Sequence, residues 1–209
     1  MRQSAGTRTW IGCDTVTGEH FGRLVKSLEG EAFGMSTTTA LYQLEVKLGL
    51  ARVAFPPGSG WQLTMHIDPM ERGVGGKHTP GKMKRVNAAL RELRKLGVII
   101  GTHKQFGPVD VVADHEKGGL RLIEVEGESG KQREQALYSS LGQLLLSMKL
   151  WSDDVGYGIA VPDTREWVRQ VRKIPTDLTK RLHLSRYLVG LNSVTRIEPG
   201  EEIADLGRG

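Results

Sequence analysis

Three carboxylates in one short stretch are the residues of this chain best placed to do chemistry. The segment "PVDVVADHEKGGLRLIEVE", residues 108–126, sets Asp110 on one apolar run and Glu124 and Glu126 on a second, with "HEKGG" between them. Short apolar runs separated by glycines and charge predict two strands joined as a hairpin. If the loop has five residues, so that Asp114 faces Leu120, then Asp110 falls opposite Glu124. Alternation then puts Asp110, Val112, Leu122, Glu124 and Glu126 on one face, and Val111, Ala113, Ile123 and Val125 on the other. Two carboxylates side by side repel each other unless a cation sits between them. Hard oxygen donors of this kind suit Mg²⁺ or Mn²⁺, ions that keep part of their water and accept a phosphate oxygen as a further ligand. The plainer alternative is that the acids face solvent and blunt an edge strand against aggregation.

The elements that must position these acids are legible in outline. Residues 132–150, "QREQALYSSLGQLLLSMKL", form the strongest helical pattern in the chain. Leu137, Leu141, Leu144, Leu145 and Met148 make its bulky side. Gln132, Ala136, Ser139 and Gln143 lie on the other, where the glutamines could hydrogen-bond a phosphate, a base edge or a metal-held water. Upstream, leucine spacing after a Ser/Thr cluster predicts a helix from about 38 to 49. "WQLTMHID" alternates like a strand, and Met83, Val86, Leu90 and Leu93 stripe a helix that stops at Gly97. "VIIGTHKQ", residues 98–105, reads as a further strand. "GYGIAVPD" predicts a buried strand, "TREWVRQVRKI" a helix capped by its threonine, and "RYLVGLNSVTRIE" a last extended segment. Such mixed order predicts an α/β fold with a central mixed sheet flanked by helices. The glycine-rich loop at 71–82 holds a GxGGK string, but it lacks the spacing and the Ser/Thr of a phosphate-binding P-loop. His66 and Asp68 form an HxD pair too sparse to define a metal site.

Composition sets the wider limits. At 209 residues, 38% hydrophobic and 25% charged, the chain is long enough for one main core. No run approaches the roughly 20 apolar residues of a membrane span, so no membrane association is expected. The N-terminal stretch lacks an apolar signal region and Cys13 has no partner cysteine, which together suggest a reducing cytoplasm. A net charge of +5 favours polyanionic partners. Its placement sharpens that. Residues 82–96 carry six Lys or Arg against one Glu, whereas residues 110–128 hold six acids and two bases. Acids gathered beside bases suit a metal beside bound phosphates, with Lys82, Lys84 and Arg85, and Lys77 and His78 in the preceding loop, as candidates to grip nucleic acid.

"PVD" at 108–110, "EVE" at 124–126, a helix carrying "GQ" at 142–143 and the strand "GIAVPD" together resemble the PD-(D/E)XK, or restriction-endonuclease-like, nucleases. The resemblance covers roughly residues 83–163. It implies an αβββαβ core within residues 81–209, with residues 98–105 as the first strand and residues 1–80 an N-terminal elaboration serving DNA recognition or dimerisation. It also implies Mg²⁺-dependent hydrolysis of DNA, with Asp110, Glu124 and the backbone carbonyl of Val125 as metal ligands and Gln143 as a polar site residue. A restriction-type enzyme of this size is expected to be a homodimer. A junction-resolving or repair nuclease is the near alternative. Glu92 matches an extra acid found in some members, although an acid among Arg91, Arg94 and Lys95 is more simply a helical salt-bridge partner. Glu126 stands where the family has lysine. Three consequences are open: the glutamate serves as ligand or general base, Lys131 supplies the missing charge, or catalysis is lost and a DNA-binding module remains.

Overall fold

The structure is a computed structural model that describes residues 40–72, 81–128 and 132–204. Helix α1 (Gln43–Gly49) continues through a π-helical turn, Leu50–Ala54, towards strand β1 (Trp61–Met65). Helix α2 (Lys82–Lys95) leads to the two-residue β2 (Ile99–Ile100), and β3 (Val111–His115) and β4 (Leu120–Val125) form a hairpin. Next come α3 (Arg133–Ser147), β5 (Val155–Pro162), α4 (Arg165–Val171), α5 (Thr176–Arg181), β6 (Leu184–Val189) and β7 (Val194–Ile197). The seven strands form one mixed sheet in the order β2-β1-β3-β4-β5-β6-β7.

The period of two along the central strands divides the core into two layers. Val111, Ala113, Ile123 and Val125 pack with Leu44, Leu50, Val86 and Leu93 of the α1 and α2 side. Val112, Leu122, Ile159 and Val161 pack with Leu137, Leu144, Trp167 and Val168 of the α3 and α4 side. Helices therefore cover both faces, as the α/β reading expects. The hairpin register also follows the expected one, with Val112 paired to Leu122 and Asp114 to Leu120. Thr164 caps α4 by accepting from the Trp167 N–H. Among the described residues, no helix is long and apolar enough to cross a membrane.

Several expectations need correction. The strand expected over 98–105 shrinks to Ile99–Ile100, because residues 103–107 close into a tight turn through paired His103 and Gly107 backbone hydrogen bonds. It lies parallel to β1 at the sheet edge, and the place beside β3 is taken by β1. Consequently α1 and β1, assigned by sequence to an N-terminal elaboration ending at 80, belong to the same sheet and helical layer as the residues after 81. The helix expected from 38 runs over Gln43–Gly49. In α3 the buried side is Ala136, Leu137, Ser140, Leu144 and Ser147. Leu145 is separated from Leu137 and Leu144 and points outwards, and Ala136 joins them inwards, because small side chains let α3 lie close on the sheet. The last extended segment is a hairpin, β6 and β7, turning at residues 190–193.

Candidate functional site

Asp110 and Glu124 meet at the end of the sheet where β3 begins and β4 ends. Both are buried, at 9% and 4% exposure. Asp110 is held from three sides: its Oδ2 accepts from the Val125 N–H at 2.9 Å and from Gln43 Nε2 at 3.2 Å, and its Oδ1 accepts from Lys47 Nζ at 2.8 Å. Its backbone carbonyl accepts from the His66 N–H, which ties it to the end of β1. The carboxyl of Glu124 is pushed up to about 9, first by burial, then by the charge of Asp110 and a hydrogen bond with it. At neutral pH Glu124 therefore keeps its proton.

Lys47 was missed by sequence reasoning. It is fully buried, and its ammonium donates to the His66 carbonyl at 2.6 Å, to Glu71 at 2.8 and 2.9 Å and to Asp110 at 2.8 Å. Burial works against that charge, but Asp110 and Glu71 together hold its pKa above the usual value. Glu71 is pushed up to about 7, chiefly by burial, against the pull of Lys47. It reaches the ammonium because Asp68 Oδ1 accepts from the Met70 and Glu71 N–H groups, folding residues 68–71 into a tight turn. Of the HxD pair, then, Asp68 shapes the loop and His66 contributes its backbone. One signal for Lys47 was present: in a helix it shares a face with Leu44 and Ala51, and a lysine on an apolar stripe needs a buried anion. Gln43, four residues earlier, falls on the same face and reaches the same carboxylate.

Gly127 makes this arrangement possible. A Cβ there would stand 2.1 Å from the Gln43 nitrogen, so the chain leaving β4 passes directly over the start of α1. The Glu128 N–H donates to the Leu41 carbonyl at 2.8 Å and fixes the crossing. Gly127→Ala is expected to destabilise the fold by at least about 1–3 kcal/mol, the range for overpacking, because backbone rather than a side-chain tip must move. Urea denaturation reads this directly, and a midpoint equal to wild type would show that the crossing is loose.

Other expected residues fall elsewhere. Glu126 is half-buried and accepts from Ser140 Oγ of α3 at 2.5 Å, and its charge contributes to raising Glu124. Gln143 is exposed on α3, three residues beyond Ser140. Glu92 ion-pairs with Arg52 and Lys95 on the surface of α2, the plainer of its two readings. Arg85 bonds both oxygens of Glu45 and stacks on Tyr42 with Lys82 nearby, so its charge is already matched, whereas Lys84 is exposed. Lys77, His78 and Lys131 lie outside the described residues.

Among the described residues no group of three or more His, Cys, Asp or Glu side chains could hold a metal ion. What remains is a pair, Asp110 and Glu124, with the Val125 backbone between them. That donor set suits a hydrated Mg²⁺, which commonly takes only one or two carboxylates from protein. A comparison with known protein families and another with curated proteins find no match to this chain.

The raised carboxyls make a prediction about the metal-free protein. Glu124 has a folded value of about 9 and an unfolded value near 4.5, so between these the folded state binds more protons. Its contribution is complete below pH 4.5 and is lost as pH rises through the window to about 9; Glu71, raised to about 7, adds in the same direction. Stability in EDTA should fall by on the order of 1 kcal/mol per pH unit across the neutral range. Urea unfolding at several pH values tests it, and Glu124→Gln should flatten the slope.

Proposed function

We propose that this protein is a divalent-metal-dependent endonuclease that hydrolyses DNA phosphodiesters, with Asp110, Glu124 and the Val125 carbonyl as the metal ligands. The observation that carries the reading is the buried Asp110–Glu124 pair, with the Val125 backbone between the two carboxyls. The bound ion supplies polarisation of a phosphoryl oxygen and a more acidic water.

The chain's own residues do the rest. Val125 N–H and Gln43 Nε2 fix Asp110, so its orientation does not depend on the ligand. Lys47 provides a buried positive charge beside the "EVE" strand and orients Asp110 from within the fold, without itself reaching a phosphate. Glu126, beside Glu124 and held by Ser140, would take up a proton. Exposed bases such as Lys84, Arg165 and Arg169 would grip flanking phosphates, with affinity that falls steeply with salt.

Connectivity supports the resemblance to restriction-endonuclease-like nucleases. The series α1, β1, β3, β4, α3, β5 runs αβββαβ, with β3 antiparallel to both its neighbours and β5 parallel to β4. The first helix and strand come from residues 43–65, and α2 with β2 is inserted before β3. A second reading, DNA binding without cleavage, draws on the three donors already engaging Asp110.

Supercoiled plasmid and mixed-sequence linear DNA incubated with Mg²⁺ or Mn²⁺ discriminate the two. Cutting that vanishes in EDTA and in an identically purified Asp110→Ala protein is the expected result. Binding without cutting under every condition would put the second reading first.

A further inference from the structure

We infer that the outer face of α3 is a homodimer interface, two copies of the chain packing antiparallel about a two-fold axis near Gly142. Leu146 is 85% and Trp151 63% exposed, and Tyr138, Leu145 and Leu150 are exposed too, with Tyr138, Leu145 and Leu146 on one face of α3. Lone exposed apolar residues need no explanation, but five in 14 consecutive positions form a patch of the kind that marks an association surface. Gly142 lies in the middle of it. A methyl at Gly142 would meet nothing within 4 Å in its own chain, so the fold of one copy does not require glycine there. A glycine inside a helix weakens that helix, and an approaching backbone explains its use.

The occupant is a second copy because the face complements itself. Glu134 opens α3, anchored by Tyr138 Oη at 2.7 Å and Lys173 Nζ at 2.9 Å, and Lys149 lies just past its last turn. Gly142 falls near the midpoint between them. Antiparallel pairing across it sets Glu134 of each copy towards Lys149 of the other, and Tyr138 against Leu145 and Leu146, twice over. An ordinary interface needs about 800 Å² from each partner. Fifteen residues of α3 span about 22 Å, and Leu150 and Trp151 extend the apolar surface beyond its end. None of this depends on the metal reading.

Sedimentation equilibrium of the full chain across a wide concentration range is the test. A species of twice 23.0 kDa is expected. Leu146→Glu, at a side chain the monomer leaves in solvent, should raise the dissociation constant at least about tenfold without changing circular dichroism. Glu134→Lys and Lys149→Glu should each weaken the dimer, and the double reversal should restore it. A monomer at every concentration overturns the inference. A dimer indifferent to Leu146→Glu overturns it too, and failure of the double reversal overturns the antiparallel register.

Discussion

Glu124→Gln is expected to slow DNA cleavage by about a thousandfold or more while leaving the fold and DNA affinity close to wild type. The magnitude follows from the several kcal/mol of charge stabilisation that a bound divalent ion contributes, since about 4 kcal/mol is a thousandfold in rate. Glu124 separates chemistry from folding better than Asp110 does. In the metal-free protein its carboxyl is neutral, because burial and Asp110 hold its pKa near 9. Glutamine is neutral as well and nearly the same shape, so the buried site loses no charge when the substitution is made. Only the form that binds a metal, the ionised one, is removed. Asp110→Asn should abolish cleavage as fully, but it also takes away the anion that faces Lys47, so its fold should weaken. Single-turnover rates with saturating Mg²⁺, set beside melting curves in EDTA, distinguish the cases. A Glu124→Gln protein that cuts at the wild-type rate would rule out Glu124 as a ligand and with it the proposed metal site.

The same pair shows which parts of the structure could be read from sequence. The opposition of Asp110 and Glu124 follows from strand alternation and one loop length, both local properties, and the observed register has the Asp114 to Leu120 pairing that requires. Helix α2 was legible for the same reason, since its stripe repeats within a few turns. The partners of Asp110 were not. Lys47 and Glu71 are 63 and 39 residues before it, and what brings them together is the sheet order, in which β1 rather than β2 lies against β3. Two similar apolar segments, 61–65 and 98–105, compete for that place, and nothing local decides between them. The winner has five paired residues against β3, while the other is cut short by the His103–Gly107 turn. For α3, periodicity identified the helix but misjudged its inward face. Spacing groups Leu145 with Leu137 and Leu144 and sets Ala136 opposite, whereas Ala136, Ser140 and Ser147 face inwards with Leu137 and Leu144, and Leu145 and Leu146 remain outside.

Lys47→Met should cost about 3–5 kcal/mol of folding stability at neutral pH, because it breaks a buried ion pair from one side. Methionine fills nearly the same volume, so packing is kept and the charge alone is removed. Asp110 Oδ1, Glu71 and the His66 carbonyl would then lose their shared donor inside the protein. Two responses follow from the neighbours. Glu71, already raised to about 7, would take a proton more readily, so the deficit should shrink as pH falls below neutrality. Glu71→Gln combined with Lys47→Met should recover part of the loss, because the amide no longer leaves a buried anion unpaired; the double-mutant cycle gives the coupling directly. Lys47→Arg should not substitute, since a guanidinium needs more room than a fully enclosed ammonium site offers. If Lys47→Met does not yield folded protein, Glu71→Gln alone reports on the same contact from its more accessible side. Were both variants as stable as wild type at pH 7, the ion triad would not be what joins α1 to the turn at residues 68–71, and Lys47 would be held in place by its helix alone.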